Sequence, residues 1–368
     1  MLDIRPVLYV IGILLCLTSG AMILPMILDL ISSNDDWKVF LITSTITFFI
    51  GVICIFAFKE DTKKITIREG FVLTVLSWIT VAIFAAIPFI YTETNLSITN
   101  AFFESVSGVT TTGSTVIMGL DNLPNGILLW RSLLQWFGGI GIIVLALSLL
   151  PMLQVGGMQL FHLESDDPYE KTLPKISNFI FEISLLYFIL TSVCAILYFF
   201  SGMSIFDSTL HAMTTISTGG FSTSDLSFAK FNSNTIEWVC TIFMILGSLP
   251  FVIYLRFLHG EVKNVIKDDQ IKLFFGILII LIFFMTAWLI LISNQSFTNS
   301  FRESAFNIVS ILTGTGYSST NFNLWGSFGL IVLFIIMFIG GCAGSTTGGI
   351  KIFRIQLLFN AGKNQIKK

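Results

Sequence analysis

Runs of about twenty apolar residues recur along this chain, near 7–31, 38–58, 70–91, 126–150, 176–200, 234–257, 272–293 and 325–340. That is the length of helix that crosses a hydrocarbon layer about 30 Å thick. Lipid offers no partner to a backbone N–H or C=O, so each run must pair its own polar groups, and a helix does this within one segment. Composition agrees: of 368 residues, 54% are hydrophobic and 11% charged, against about a quarter charged in soluble domains. The fold class expected is an all-α polytopic membrane protein.

Between the spans lie three short segments of one design: AFFESVSGVTTTGST at 101–115, DSTLHAMTTISTGGFS at 207–222 and SAFNIVSILTGTGYS at 304–318. Each reads as an amphipathic helix collapsing into a Thr-Gly turn. Aligning Gly113, Gly219 and Gly316 brings Thr112, Thr218 and Thr315 into one column, with repeat lengths of 106 and 97 residues. A period this long marks an internal duplication. Helices over 98–110, 205–216 and 299–312 are too short to cross, so each must enter and leave by one face. Irregular chain at that depth has to line water or bind something. Glycine lets a carbonyl face an axis where a side chain would collide, and rings of such oxygens replace the hydration shell of a monovalent cation. Expected domains are two accessory spans (1–60) and three repeats of helix, pore loop and helix around a pseudo-symmetric ion pathway (61–155, 156–260 and 261–368).

Positive charge orients the spans. With the N-terminus in the cytoplasm, sixteen of the twenty lysines and arginines fall on inner segments, and Lys38, Arg131, Lys230 and Arg302 lie outside or at the outer boundary. Basic residues collect on the cytoplasmic side, which puts all three Thr-Gly turns at the external side.

A further glycine-rich run, Gly340, Gly341, Cys342, Ala343, Gly344, Ser345, Thr346, Thr347, Gly348 and Gly349, has three readings. A fourth filter turn is disfavoured, because Gly344 follows Gly316 by only 28 residues. A helix starting near Leu324 and rising 1.5 Å per residue reaches mid-membrane close to Gly340, so a break in the third repeat's second helix fits better, with the loop as a gate. Close helix packing through small residues is the alternative. Gly138, Gly139 and Gly141 are expected to serve packing rather than a hinge. Arg131 is expected to be a solvated interfacial charge, and Trp37, Trp130, Trp136, Trp238 and Trp325 interfacial anchors.

Enzyme chemistry finds no support. The five cysteines (16, 54, 194, 240 and 342) and the three histidines lack metal-ligand spacing. His211 alone lies near a turn, in a column with Ser105 and Ile308, where packing or hydrogen bonding is expected. Glu104 shares a column with Leu210 and Asn307, so no ring of carboxylates forms. The alternative function is a secondary transporter of another small solute using the broken helix as its binding site; it calls for inverted repeats, and these run in one direction.

Several stretches resemble the membrane subunits of bacterial Trk potassium uptake systems, the TrkH family of the Trk/Ktr/HKT superfamily. They are AFFESVSGVTTTGSTV (101–116), QWFGGIGIIVLALSLLPML (135–153), GGMQLFHLES (156–165), ISTGGFST (216–223), FNSNTIEWV (231–239) and MFIGGCAGSTTGGIKIFR (337–354). The resemblance implies potassium uptake across the bacterial inner membrane, by channel-like passage or symport, with K+ as the transported ion and no organic cofactor. It implies potassium coordination at Thr111, Thr112, Gly113, Ser217, Thr218, Gly219, Gly314, Thr315 and Gly316, with the 340–349 run as an intramembrane gate. It also implies a homodimer and a cytoplasmic nucleotide-binding regulatory subunit of the TrkA type, for which 256–272 and 351–368 are candidate docking surfaces. Four repeats surround one pathway in that superfamily, so a fourth repeat is missing here and the chain is expected to be part of a longer frame.

Overall fold

In the computed structural model, residues 3–59, 66–153, 172–261, 268–293 and 295–366 are described. The GGMQLFHLES stretch, the boundary expected at 155/156 and the middle of the basic loop 256–272 lie outside them. The described residues are almost entirely helical and divide into two compact units, Met1–Thr110 with Ser114–Ser177, and Thr111–Gly113 with Asn178–Lys368.

The first unit holds α1 (Arg5–Ile31), α2 (Trp37–Phe58), α3 (Ile67–Tyr91), α4 (Ile98–Val109) and α5 (Asn125–Leu153). α1 and α2 approach through glycine: a Cβ on Gly12 would lie 2.8 Å from the Gly51 carbonyl oxygen, and one on Gly51 2.9 Å from that of Gly12. Ser19 and Ser44 then tie the pair, each hydroxyl donating to the other residue's carbonyl at 2.8 and 3.0 Å. Small residues and paired hydroxyls are what bring apolar helices together where lipid removes the hydrophobic incentive. α3 begins with a capping box, since Thr66 Oγ1 accepts from Glu69 N and Glu69 Oε2 accepts from Thr66 N. Asp29 of α1 accepts from Gly126 N at 2.7 Å and fixes the start of α5, which runs through the Gly138–Gly141 region unbroken.

The second unit holds α6 (Thr172–Phe200) from Asn178 onward, α7 (Ile205–Ile216), α8 (Asn234–Ser248), α9 (Phe251–Leu258), α10 (Asp269–Ser293), α11 (Phe297–Leu312), α12 (Gly326–Ile336) and α13 (Ile352–Ile366). Six helices among the described residues are long and apolar enough to span a membrane. Their outer faces carry exposed side chains such as Phe49, Phe56, Phe188, Ile280 and Leu291, a surface suited to lipid rather than water.

Two expected spans are not straight. The run 234–257 bends by 91° between α8 and α9, because Pro250 lacks the N–H that would continue the ladder. The run 325–340 ends as helix at Ile336, and regular helix resumes at Ile352. Two of the expected interfacial tryptophans are interior. Trp130 is fully buried and donates to Ala85 O at 3.1 Å, and Trp325 is buried with its carbonyl accepting from Trp288 Nε1.

Candidate functional site

α4 and α7 have twelve residues each and α11 sixteen, about 18–24 Å at 1.5 Å per residue and short of a crossing. Ser97 and Ser204 cap the first two by accepting from Asn100 N and Asp207 N. Each helix runs directly into its Thr-Gly bend. The C-terminus of a helix carries about half a negative charge, so all three present the polarity that favours a cation.

Backbone torsions set the register of the bends. Thr110, Ser217 and Thr313 are the C-caps. Thr111 (φ 56°), Thr218 (51°) and Gly314 (73°) follow in the left-handed region, and two residues later so do Gly113 (80°), Gly220 (80°) and Gly316 (83°). Thr112, Gly219 and Thr315 between them stay outside it. Alternation of this kind turns successive carbonyls to one side. The amides agree, since Gly220 N donates to Thr214 O and Gly316 N to Ser310 O, each six residues back. Gly220, rather than the Gly219 aligned from sequence, therefore stands with Gly113 and Gly316, and Ser217 caps its helix as Thr110 and Thr313 do.

The three bends meet. A Cβ on Gly113 would collide with the Gly219 carbonyl oxygen and lie 3.6 Å from that of Thr315, while one on Gly220 would collide with Thr315 O. Chain this close admits only glycine. Thr111, Ser217, Thr218, Thr313 and Thr315 are buried around the meeting point. Left-handed torsions on the β-branched Thr111 and Thr218 are strained, at roughly 1–3 kcal/mol each.

The run 340–349 lies against the second bend and against the break between α8 and α9. Cys342 N donates to Ser248 O (3.1 Å), Thr346 N to Gly247 O (3.3 Å), and Phe251 N to Gly344 O (3.0 Å). The backbone groups freed by the α8–α9 break are thus satisfied by the loop, as they must be away from water. Thr346 Oγ1 lies 3.0 Å from both Ile216 O and Gly247 O and accepts from Thr218 Oγ1 at 3.1 Å. Gly340 N donates to Ile350 O, closing the loop at its base, and Lys351 Nζ donates to Thr347 O, to Thr347 Oγ1 (3.0 Å) and to Ser345 Oγ (3.4 Å). Gly340, Gly341, Cys342, Ser345, Thr346 and Thr347 are buried, Ala343 and Gly344 half-buried, and Gly348 and Gly349 exposed.

In the first unit, Arg131 departs from the solvated charge expected of it. It is 1% exposed, and its Nε lies 2.9 Å from Oε1 of the fully buried Glu104. Sequence reading also missed the second break, for which Pro250 inside an apolar run was the available signal.

A family model described as a cation transport protein, TrkH, matches residues 37–368. The chain belongs to the TrkH family. It is 37% identical to the Trk system potassium uptake protein TrkI of Halomonas elongata, over 98% of this chain and 74% of that protein. It is 38% identical to the Trk system potassium uptake protein TrkH of Escherichia coli, over 99% and 76%. The crystal structure of the potassium transporter TrkH from Vibrio parahaemolyticus superposes with a TM-score of 0.91 at 36% identity, covering 99% of this chain and 76% of that one. These are transport proteins, so the chain belongs to a transporter family and not to a family of enzymes.

Proposed function

We propose that the chain takes up potassium across a bacterial inner membrane, with the backbone carbonyls of its three bends replacing the ion's water. The single observation that carries this reading is the meeting of the bends. Three helix C-termini lead into turns of alternating torsion that come together with the carbonyl oxygen of one bend against the glycine of another, where a side chain would collide. Carbonyl rings of that kind suit a dehydrated monovalent cation. The naming of the relatives as potassium uptake proteins supports K+ as the ion.

The coordinating residues proposed are Thr111, Thr112 and Gly113, then Thr218, Gly219 and Gly220, then Gly314, Thr315 and Gly316; Ser217 supports the second bend as its helix cap. The 340–349 loop is the gate, supported by its contacts at Thr218, within the proposed ion path, and at Ile216, two residues before it. The cytoplasmic N-terminus, the homodimer and a TrkA-type nucleotide-binding subunit belong to the same proposal; the first rests on the distribution of basic residues and the others on family resemblance. A membrane potential supplies about 2.3 kcal/mol per charge per 100 mV, enough to drive entry without chemistry.

Rubidium uptake by cells lacking other potassium uptake tests the reading. Gly113→Ser is expected to abolish the preference for rubidium over sodium while the protein still reaches the membrane. Unchanged preference would remove the filter.

A further inference from the structure

The torsional register brings three polar residues into one position. Glu104, His211 and Asn307 each stand nine residues before the glycine that closes their bend, Gly113, Gly220 and Gly316. All three are buried, at 0%, 0% and 1% exposure, and each reaches the chain leaving its own bend. Glu104 accepts from Thr115 Oγ1 (2.9 Å) and from Val116 N (3.0 Å). His211 Nε2 lies 3.1 Å from Ser222 Oγ. Asn307 donates to Ser319 Oγ (3.1 Å) and accepts from Ser319 N (3.4 Å). The partners lie eleven, eleven and twelve residues further on.

A second polar contact orients each side chain. Glu104 pairs with Arg131. His211 Nδ1 lies 2.8 Å from Asp207 O, and Asn307 Nδ2 donates to Glu303 O at 2.9 Å, in both cases the carbonyl four residues back on the same helix. A carbonyl only accepts, so Nδ1 of His211 carries a proton, and Nε2 is left to face the Ser222 hydroxyl. Three unlike residues thus do the same work, joining the descending helix to the ascending limb across the turn.

We propose that Glu104, His211 and Asn307 are positioning residues for cation selection, one brace per bend, holding the carbonyls of Thr111–Gly113, Thr218–Gly220 and Gly314–Gly316 at the spacing that suits a potassium-sized ion. The inference rests on the filter reading above. Space filling alone would not require a polar atom at this position, and His211 is otherwise lined by aromatic rings, Phe228 and Phe231 edge-on at 5.2 Å and Tyr317 at 6.1 Å.

The test measures rubidium uptake in vesicles, with KM, Vmax and inhibition by sodium read separately. His211→Leu fills the space without the bonds, and His211→Asn installs the third repeat's solution. The leucine variant is expected to raise KM for rubidium and reduce rubidium-over-sodium preference about tenfold, the upper range for one lost hydrogen bond; the asparagine variant is expected to stay within about threefold of the parent. Asn307→Leu against Asn307→His asks the same of the third bend should a residue 211 variant fail to fold. If the leucine variants lose only Vmax, in proportion to folded protein, with KM and preference intact, the brace is refuted. Gly113→Ser in parallel separates the two readings: selectivity lost there but kept in the leucine variants sinks the brace alone, and selectivity kept in Gly113→Ser sinks the filter itself.

Discussion

Single residues in the bends are held in torsions that their side chains resist. Thr111 and Thr218 are left-handed and β-branched, whereas the third repeat has Gly314 at the same position. A threonine kept there at a cost of roughly 1–3 kcal/mol points to a use for its oxygen. Thr111→Gly is therefore expected to raise thermal stability by about 1 kcal/mol through relief of strain, while impairing cation preference; thermal unfolding in detergent beside rubidium uptake reads both. Gly220→Ala is expected to be far more damaging than its sequence alignment implies, because the added methyl meets Thr315 O. Melting and uptake would both fall, and a silent substitution would show the register to be wrong. That register was the part of the site least legible in the sequence. Gly219-Gly220 is a doublet, and nothing in composition says which member turns left-handed. Choosing the first shifted the second column by one and hid the equivalence of His211 with Glu104 and Asn307.

Elements show where apolar pattern is sufficient and where it is not. The long helices and the three short ones stand close to the positions expected, since span length and hydroxyl-glycine punctuation act locally. The break at Leu249–Pro250 escaped because a run of apolar residues reads the same whether it crosses straight or turns by 91°. What stabilises the break is distant in sequence: the 340–349 loop supplies the donors and acceptors that α8 and α9 lack. Thr346→Val removes the hydroxyl shared by Ile216 O and Gly247 O and takes that donor from Ile216 O, while Gly247 O keeps the Thr346 N–H. The expected loss is about 1–3 kcal/mol, with raised basal cation flux measured in vesicles if the loop is the gate. Arg131 was equally illegible, because its partner Glu104 lies 27 residues away on another helix. Arg131→Met would strand a buried carboxylate, at about 3–5 kcal/mol. Adding Glu104→Gln should recover much of that stability, as thermal melting of the single and double variants would reveal.

At the scale of the whole chain, three short helices each run into a Thr-Gly bend, and the three bends come together within the second unit. Six helices among the described residues are long and apolar enough to cross a membrane, and the chain belongs to a family of cation transport proteins. Under the orientation proposed from the distribution of basic residues, single cysteines at the 94–97 and 223–226 turns are expected to react with a membrane-impermeant thiol reagent from outside intact cells, and labelling only after lysis would invert the orientation. The central claim, that the peptide oxygens of the three bends hold a dehydrated monovalent cation, is tested most directly by anomalous diffraction from crystals grown in rubidium. A peak within about 3 Å of the carbonyls of Thr111–Gly113, Thr218–Gly220 and Gly314–Gly316 is the expected result, the range of direct oxygen coordination to such an ion. Rubidium bound elsewhere, with those carbonyls bare, would contradict it.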